Sequence, residues 1–323
     1  MSFKSIAFTL AIIALTFSPA KTLDKELPPP SRKRTLILID NLLLHTTHSR
    51  FFADLKAAGH TVTIKLARED AISAGHIRLQ KDKAYLYDNL ILMCTSMVDI
   101  PVVKTFNIKK FFDDGNNVFF MADLDISSYF RKLANEFGFK FAAQGEYLID
   151  YKNALKRTSP NVFKVRQFRD ISFLAEGVEG DLVFNGIGLG VTHFDNQQIT
   201  VFARGNMHTA AISYNENKAK VYGKMGKHNV LVLGVQGFDN ARVVVSGSLD
   251  LFSNELYEKS GGANRQFGLN LVDWLAGVRG VVKQVGYEHS CIDKNGNDSD
   301  CPVRCDFRFS IDVSRRKKSL ISF

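Results

Sequence analysis

Apolar and polar positions alternate in blocks along the chain, and the period of the blocks changes in a regular way. Residues 35–39 (TLILI) form a short β-branched run closed by Asp40-Asn41, as expected of a strand buried on both faces. Residues 48–58 then carry Phe51, Phe52, Leu55 and Ala58 at helical spacing, and Gly59 stops them. Val62, Ile64 and Leu66 alternate within a second strand, 60–66. Residues 90–93 give a third strand, entered through Tyr87-Asp88-Asn89, and 118–121 a fourth. Residues 104–114 and 127–137 read as helices; the first stops at Gly115, the second is capped by Ser127 or Ser128 and ended by Gly138. Strand–helix–strand repetition at this spacing predicts an α/β domain built on a mostly parallel open sheet flanked by helices.

From about Glu146 the texture shifts to shorter strands and polar loops. Residues 201–204, 210–214, 229–235 and 242–246 are strand candidates, the last two joined around Phe238-Asp239-Asn240. Residues 266–275 present a broad apolar face through Phe267, Leu269, Leu271, Val272, Trp274 and Leu275, which predicts a helix that packs on the sheet and closes the domain. Further on, residues 306–313 alternate, with Phe307, Phe309, Ile311 and Val313 on one side and Arg308, Ser310 and Asp312 on the other. The pattern offers this strand no neighbour, so it reads as the first strand of a further β domain. Residues 291–323 are then expected to be mobile or prone to association when that domain is lacking.

The first segment has a different character. Lys4 precedes an apolar run, 6–17, and Ser18-Pro19-Ala20 supplies small residues, which describes a secretory signal peptide cut between Ala20 and Lys21. The run falls short of the roughly 20 residues a membrane helix needs. Residues 21–33, with Pro28-Pro29-Pro30, read as an extended linker. The predicted organisation is thus signal 1–20, linker 21–33, α/β domain 34–284, and a polar Cys-containing segment leading into a β domain at 285–323.

Composition narrows the class. A chain with 45% hydrophobic and 23% charged residues carries enough apolar surface for a packed core and is not intrinsically disordered. The net charge of +9 invites a nucleic-acid reading, but its distribution weakens it. Setting aside Lys4 and the tail Arg315-Arg316-Lys317-Lys318 leaves +4 on the body, with both signs mixed.

Candidate chemistry is sparse. Cys94 follows a predicted strand, where α/β enzymes place nucleophiles, but its neighbours Met93 and Thr95 are not the glycines of a strained elbow, and a buried thiol is the simpler reading. His45 and His48 could share a helix face, yet no third ligand accompanies them, which leaves a loop and helix start. Gly186-Ile187-Gly188-Leu189-Gly190 superficially resembles a nucleotide loop, but it does not follow the first strand. Cys291, Cys301 and Cys305 lie in one polar loop, where two of them are expected to pair in an oxidising lumen; a zinc site would lack a fourth ligand unless His289 served. Asn297, in Asn297-Asp298-Ser299, is a candidate N-glycosylation acceptor in the same loop.

Five strings taken together carry a resemblance: 35–41 (TLILIDN), 47–52 (THSRFF), 85–89 (YLYDN), 111–115 with the strand after it, and 240–252 (NARVVVSGSLDLF). In order and spacing they resemble the 48-kDa subunit of the eukaryotic oligosaccharyltransferase complex, a Wbp-like family, over roughly residues 34–284. The resemblance implies a complex of the endoplasmic reticulum that transfers an oligosaccharide from dolichyl pyrophosphate to Asn in N-x-S/T sequons. It implies an accessory subunit with a glutamine-amidotransferase-like domain on the lumenal side, without catalytic residues, cofactor or metal of its own. The implied partners are the other subunits, including a multi-spanning catalytic one; nucleic acid is not a partner. Family members continue into a β-rich domain and a membrane helix, so this chain is expected to be C-terminally truncated and to meet the membrane through the complex. The competing expectation is a soluble amidotransferase- or hydrolase-like enzyme using Cys94.

Overall fold

The computed structural model describes residues 32–68, 71–72, 75–97, 107–191, 198–215, 218–237, 240–285 and 310–314. The segment read as a signal peptide, with Ala20 and Lys21, the loop with His289, Cys291, Asn297, Cys301 and Cys305, and the basic tail lie outside the described residues.

The chain begins with β1 (Arg34–Ile39) and β2 (Thr61–Leu66), then a two-rung hairpin of β3 (Gln80–Lys81) and β4 (Ala84–Tyr85). Next come β5 (Asn89–Met93), β6 (Asn117–Met121) and β7 (Phe139–Phe141), and the short β8 (Glu146–Ile149), β9 (Ala154–Lys156), β10 (Ser159–Val165) and β11 (Leu182–Phe184). The last group comprises β12 (Leu189–Val191), β13 (Gln198–Arg204), β14 (Ala210–Asn215), β15 (Lys218–Met225), β16 (Val230–Gln236), β17 (Arg242–Ser246), β18 (Val281–Val285) and β19 (Ser310–Ser314). Nine of these strands make one mixed sheet in the order β2-β1-β5-β6-β17-β16-β12-β7, with β13 also pairing β16. The five strands from β2 to β17 are mutually parallel; every pairing beyond β17 is antiparallel. The α/β expectation holds, with the parallel character confined to that half. Strands β8, β14 and β15 form a separate antiparallel sheet, and β9, β10 and β11 another, which accounts for the change of texture after Glu146.

Strand burial follows position. The interior strands β5, β6 and β17 are buried at every residue, whereas edge strand β2 is only half-buried. Odd and even positions of β1 feed two cores. Ile37 and Ile39 join Phe51, Leu55, Phe267, Leu271 and Trp274, from the helices Ser49–Ala57 and Ala263–Leu275. Leu36 and Leu38 join Phe111, Phe112, Phe130 and Leu133, from the helices Ile108–Asp113 and Ser128–Glu136 on the opposite face. Phe120 sits in a nest of rings there, with centroids of Phe130, Phe137 and Phe139 at 5.5, 5.2 and 5.1 Å.

Local chemistry sets the helix ends. Ser127 Oγ accepts from the Phe130 amide at 3.1 Å, and Gly59, Gly115 and Gly138 adopt φ of +87°, +91° and +83°, the left-handed stops that the sequence marks. The helix expected over 104–114 begins later. Asn107 is extended (φ −100°, ψ 103°) and its Oδ1 accepts from the Lys110 amide at 2.8 Å, so Asn107 is the cap and Ile108 the first helical residue. Residues 104–106 lie outside the described residues. A second correction concerns the strand read as partnerless. Backbone at Ser310–Ser314 pairs antiparallel with Val281–Val285, a β-branched run (VVKQV) that the sequence reading left inside the body of the domain.

A buried polar row crosses the amino ends of the parallel strands. Thr35, Asn89, Asn117 and Arg242 occupy equivalent or adjoining register positions on β1, β5, β6 and β17, each at most 1% exposed. Asn89 Nδ2 donates to Thr35 Oγ1 (3.2 Å), Asn117 Nδ2 donates to Asn89 Oδ1 (2.9 Å), and the Arg242 amide donates to Asn117 Oδ1 (2.9 Å). His60 Nδ1 completes the row 2.9 Å from Thr35 Oγ1. A slip of any one strand would strand these groups without partners in the core, so the row fixes register.

Candidate functional site

In an open α/β sheet, ligands lodge outside the carboxyl ends of the strands where chain order reverses. Here the chain runs outward from β1 to β2 and then returns past β1 to β5 and β6, which puts the reversal between β1 and β5. Asp40 follows β1 at that point, and Cys94-Thr95-Ser96 follow β5. The Asp40 carboxylate accepts from the Ser96 amide (3.0 Å) and from Ser96 Oγ (2.8 Å), so the two loops are tied across the crevice by the protein's own groups. Cys94 is 0% exposed. Burial, with the Asp40 charge adding to it, holds its thiol pKa well above the usual value, so the sulfur is an inert core atom and not a thiolate poised for attack.

The two histidines serve separate ends. His48 is buried and its Nε2 donates to the Leu249 carbonyl (3.2 Å), while Nδ1 lies 2.9 Å from Thr47 Oγ1. Burial lowers its pKa, against the opposing influence of the Leu249 carbonyl and of Asp123. His45 is exposed and meets Phe52 edge-on, with centroids 6.2 Å apart. Among the described residues no group of three His, Cys, Asp or Glu side chains is placed to hold a metal ion.

The Gly186-Ile187-Gly188-Leu189-Gly190 run is a crossing point of backbones. A Cβ on Gly186 would sit 2.2 Å from the Gly247 carbonyl oxygen, and one on Gly247 would sit 2.2 Å from the Ile187 carbonyl oxygen. The Ile187 amide donates to Gly247 O (2.8 Å) and the Gly247 amide to Leu231 O (2.8 Å). The segment continues into β12, a strand, so its amides do not cluster at a helix start as a phosphate cradle requires.

Residues 240–252 form a turn, strand β17 and the loop after it. Asn240 turns the chain with φ +66°, and its Oδ1 accepts from Arg242 Nη2 (3.2 Å). The buried Arg242 guanidinium donates to the carbonyl of Trp274 and to that of Arg279 (3.3 Å) and lies 5.0 Å from the Trp274 ring centroid. A cation thereby caps the carboxyl end of the Ala263–Leu275 helix, where its dipole favours positive charge. Ser246 Oγ donates to Ser248 O (2.8 Å), and Ser248 Oγ donates to Asn185 O (2.5 Å) and accepts from the Leu251 amide (3.0 Å), binding the carboxyl end of β17 to the loop before the glycine run. Asn264 holds β11 from the helix side, accepting from the Val183 amide and donating to the Val183 carbonyl, both at 2.8 Å. Sequence reasoning passed over Arg242, Asn264 and the polar row, since an isolated Asn or Arg beside apolar residues carries no periodic signal. Cys94, His45, His48 and the glycine run are not gathered into one catalytic constellation.

Among the described residues Leu42, Leu43 and Leu124 are exposed in the loops after β1 and β6, as are Asp123 and Asp125. A separate groove of about 460 Å³ runs between Arg50, Ala53 and Asp54 on one helix and Tyr257, Gly261, Gly262 and Arg265. The Asp54–Arg265 ion pair (2.6 and 2.8 Å) closes its floor and joins the Ser49–Ala57 and Ala263–Leu275 helices.

These features define an α/β domain whose sheet edge is filled by its own packing. The mmIFT52 N-terminal domain shares this fold, with a TM-score of 0.51 at 12% identity, covering 75% of this chain and 96% of that one. Residues 28–277 match the family "OST48, N-terminal domain", and the chain belongs to that family. Relatives named dolichyl-diphosphooligosaccharide–protein glycosyltransferase 48 kDa subunit include one from Arabidopsis thaliana, 25% identical over 96% of this chain and 74% of its own length. Those of Danio rerio (29% identical; 70% of this chain, 52% of theirs) and Drosophila melanogaster (28%; 79% and 60%) are similar. The chain thus spans between about half and three quarters of the length of these relatives.

Proposed function

We propose that this chain is an accessory subunit of the oligosaccharyltransferase complex of the endoplasmic reticulum, supporting assembly and the transfer of a lipid-linked oligosaccharide to Asn of N-x-S/T sequons. The observation that carries the reading is the family match across residues 28–277, together with three relatives that bear the name of the 48 kDa subunit. The geometry agrees with a supporting role. The crevice where an α/β enzyme would bind substrate is bridged by Asp40 and Ser96, and the thiol beside it is buried and protonated. The reading of a soluble enzyme using Cys94 is not favoured for the same reason. Catalysis then belongs to another, multi-spanning subunit, and this domain faces the lumen.

The lumenal placement rests on the leader and on the late loop. Cleavage between Ala20 and Lys21 would deliver the chain to a compartment where Asn297 can be glycosylated and two of Cys291, Cys301 and Cys305 can pair. Membrane association is proposed to come through the complex; among the described residues no helix is long and apolar enough to cross a membrane. The test is complementation. In cells depleted of their own 48 kDa subunit, the chain is expected to restore sequon occupancy on a reporter glycoprotein, and Cys94→Ala to restore it equally. No rescue by the wild-type chain, or loss of rescue with Cys94→Ala in a folded variant, would overturn the reading.

A further inference from the structure

A second surface lies on the loops of the antiparallel half, away from the sheet edge already described. Met207 is 82% exposed, Tyr151 66% and Met225 54%, the largest exposures of big apolar side chains among the described residues outside the Leu42-Leu43 turn. They belong to one patch. Lys152 Nζ stands 3.3 Å from His208 Nε2, which joins the Tyr151-Lys152 loop to the Met207-His208 turn. The backbone of Gly226 abuts Met207, since a Cβ there would fall 3.2 Å from Met207 O and 3.5 Å from its Cα, and this brings Met225 and Lys227 alongside.

The turn that carries Met207 is held from beneath by buried polar groups. Asp150, 0% exposed, accepts from the Lys152 and Asn153 amides (3.1 and 3.0 Å), Asn153 Nδ2 (2.9 Å), Asn206 Nδ2 (3.3 Å) and Thr209 Oγ1 (3.1 Å). Burial alone would raise its pKa, but these bonds outweigh burial and hold the carboxyl below the usual range. Asn229 Nδ2 donates to the Thr209 carbonyl at 3.0 Å, and the Gly226 amide donates to the same oxygen at 2.8 Å. A rigid support under exposed Met and Tyr side chains lowers the ordering cost of contact, and those residue types are enriched at interfaces.

Charge selects the partner. In segments 150–152, 206–209 and 225–228 the acid is Asp150, buried and fully engaged, while Lys152, Lys227, His208 and His228 sit on the exposed rim. We infer that the Tyr151–Met207–Met225 patch is the face by which this domain docks onto a neighbouring protein subunit, one that presents an apolar pocket ringed by carboxylates. The inference rests on the subunit reading above and adds the contact surface to it.

The full chain, tagged and expressed in cells depleted of the endogenous 48 kDa subunit, is recovered from digitonin extracts at about 50 mM and about 300 mM salt, a range over which screening changes strongly. Co-purifying catalytic subunit is quantified. Met207→Glu is expected to weaken recovery as a hot-spot loss does, about thirtyfold in apparent affinity. Lys152→Glu is expected to weaken it several-fold and flatten its salt dependence. Leu43→Glu, at a position 68% exposed on the other surface, should leave recovery unchanged. Thermal melting of each purified variant confirms folding, and Tyr151→Ser supplies a second patch variant. Recovery of Met207→Glu and Tyr151→Ser at the wild-type level would overturn the docking face while leaving the subunit reading intact. Failure of the wild-type chain to recover any subunit would overturn both. Binding to phosphatidylserine-containing vesicles that Met207→Glu abolishes, with co-purification unchanged, would make the patch a lipid contact and refute the protein docking site.

Discussion

The glycine run 186–190 gives a sharp test because its first two glycines have opposite surroundings. Gly186 is pressed against β17's end, where an added Cβ would stand 2.2 Å from Gly247 O and 2.9 Å from Ser248 Cβ. Ordinary contact starts near 3.4 Å, so Gly186→Ala must push two backbones apart by about 1 Å and lengthen the Ile187 amide–Gly247 carbonyl bond. Overpacking of this kind costs about 1–3 kcal/mol, and weakening the bond adds about 1. The total, about 2–4 kcal/mol, corresponds to about 5–12 °C in Tm for a domain of this size. Gly188 has only Leu148 Cδ2 at 3.7 Å and Asn229 Oδ1 at 3.9 Å near its Cβ position, so Gly188→Ala should stay within about 1 kcal/mol of wild type. Differential scanning calorimetry of the two variants reads the contrast, with ATP added as a control. If both variants melt alike, or ATP raises the wild-type Tm and Gly188→Ala abolishes that rise, the run is a nucleotide loop and the backbone-crossing argument fails.

Other consequences follow from buried charge. Arg242→Met is expected to lower stability by about 2–4 kcal/mol in urea titration, because the Trp274 and Arg279 carbonyls lose a charged donor, and Arg242→Lys should recover only part of it, lacking the fork; an unchanged midpoint for Arg242→Met would refute the capping role. His60 is pushed down to about 4, by burial first and by the Lys33 charge second. Its unfolded value is near 6.5, so protonation favours unfolding, and stability should fall as pH drops from about 6.5 to 4, by up to about 3 kcal/mol. Asp150, held low, contributes stability that is lost only at still lower pH; urea midpoints for wild type and His60→Gln at pH 7 and pH 4.5 check the His60 part, which fails if the two proteins show the same slope. Cys94 should react with a thiol reagent only at the rate of global unfolding, and rapid labelling located at Cys94 by peptide mapping, apart from Cys291, Cys301 and Cys305, would contradict its burial.

The parallel strands and the glycine stops were legible because each depends on its own neighbours. TLILI is continuous since β1 is covered on both faces, and Gly59, Gly115 and Gly138 mark conformations that other residues resist. Contacts between distant segments left no such trace. Gly186 meets Gly247, and Asn117 meets Arg242 from another strand, through pairings that only the assembled sheet creates. Asn107 escaped notice as a cap because Lys104, Thr105 and Phe106 extend a plausible helical pattern ahead of it. The Tyr151–Met207–Met225 patch was likewise invisible, since its members come from three loops that the Asp150 network and the Gly226 turn bring together.

One fractionation decides whether the chain is a non-catalytic member of an oligosaccharyltransferase. Digitonin-solubilised membranes from cells expressing the tagged full chain are separated by size, and each fraction is assayed for transfer of a lipid-linked oligosaccharide to an acceptor peptide. The chain is expected to comigrate with the transfer activity in a large complex, and the purified chain alone to transfer nothing. A chain that migrates only as a free monomer, or that transfers the glycan by itself, would contradict that role.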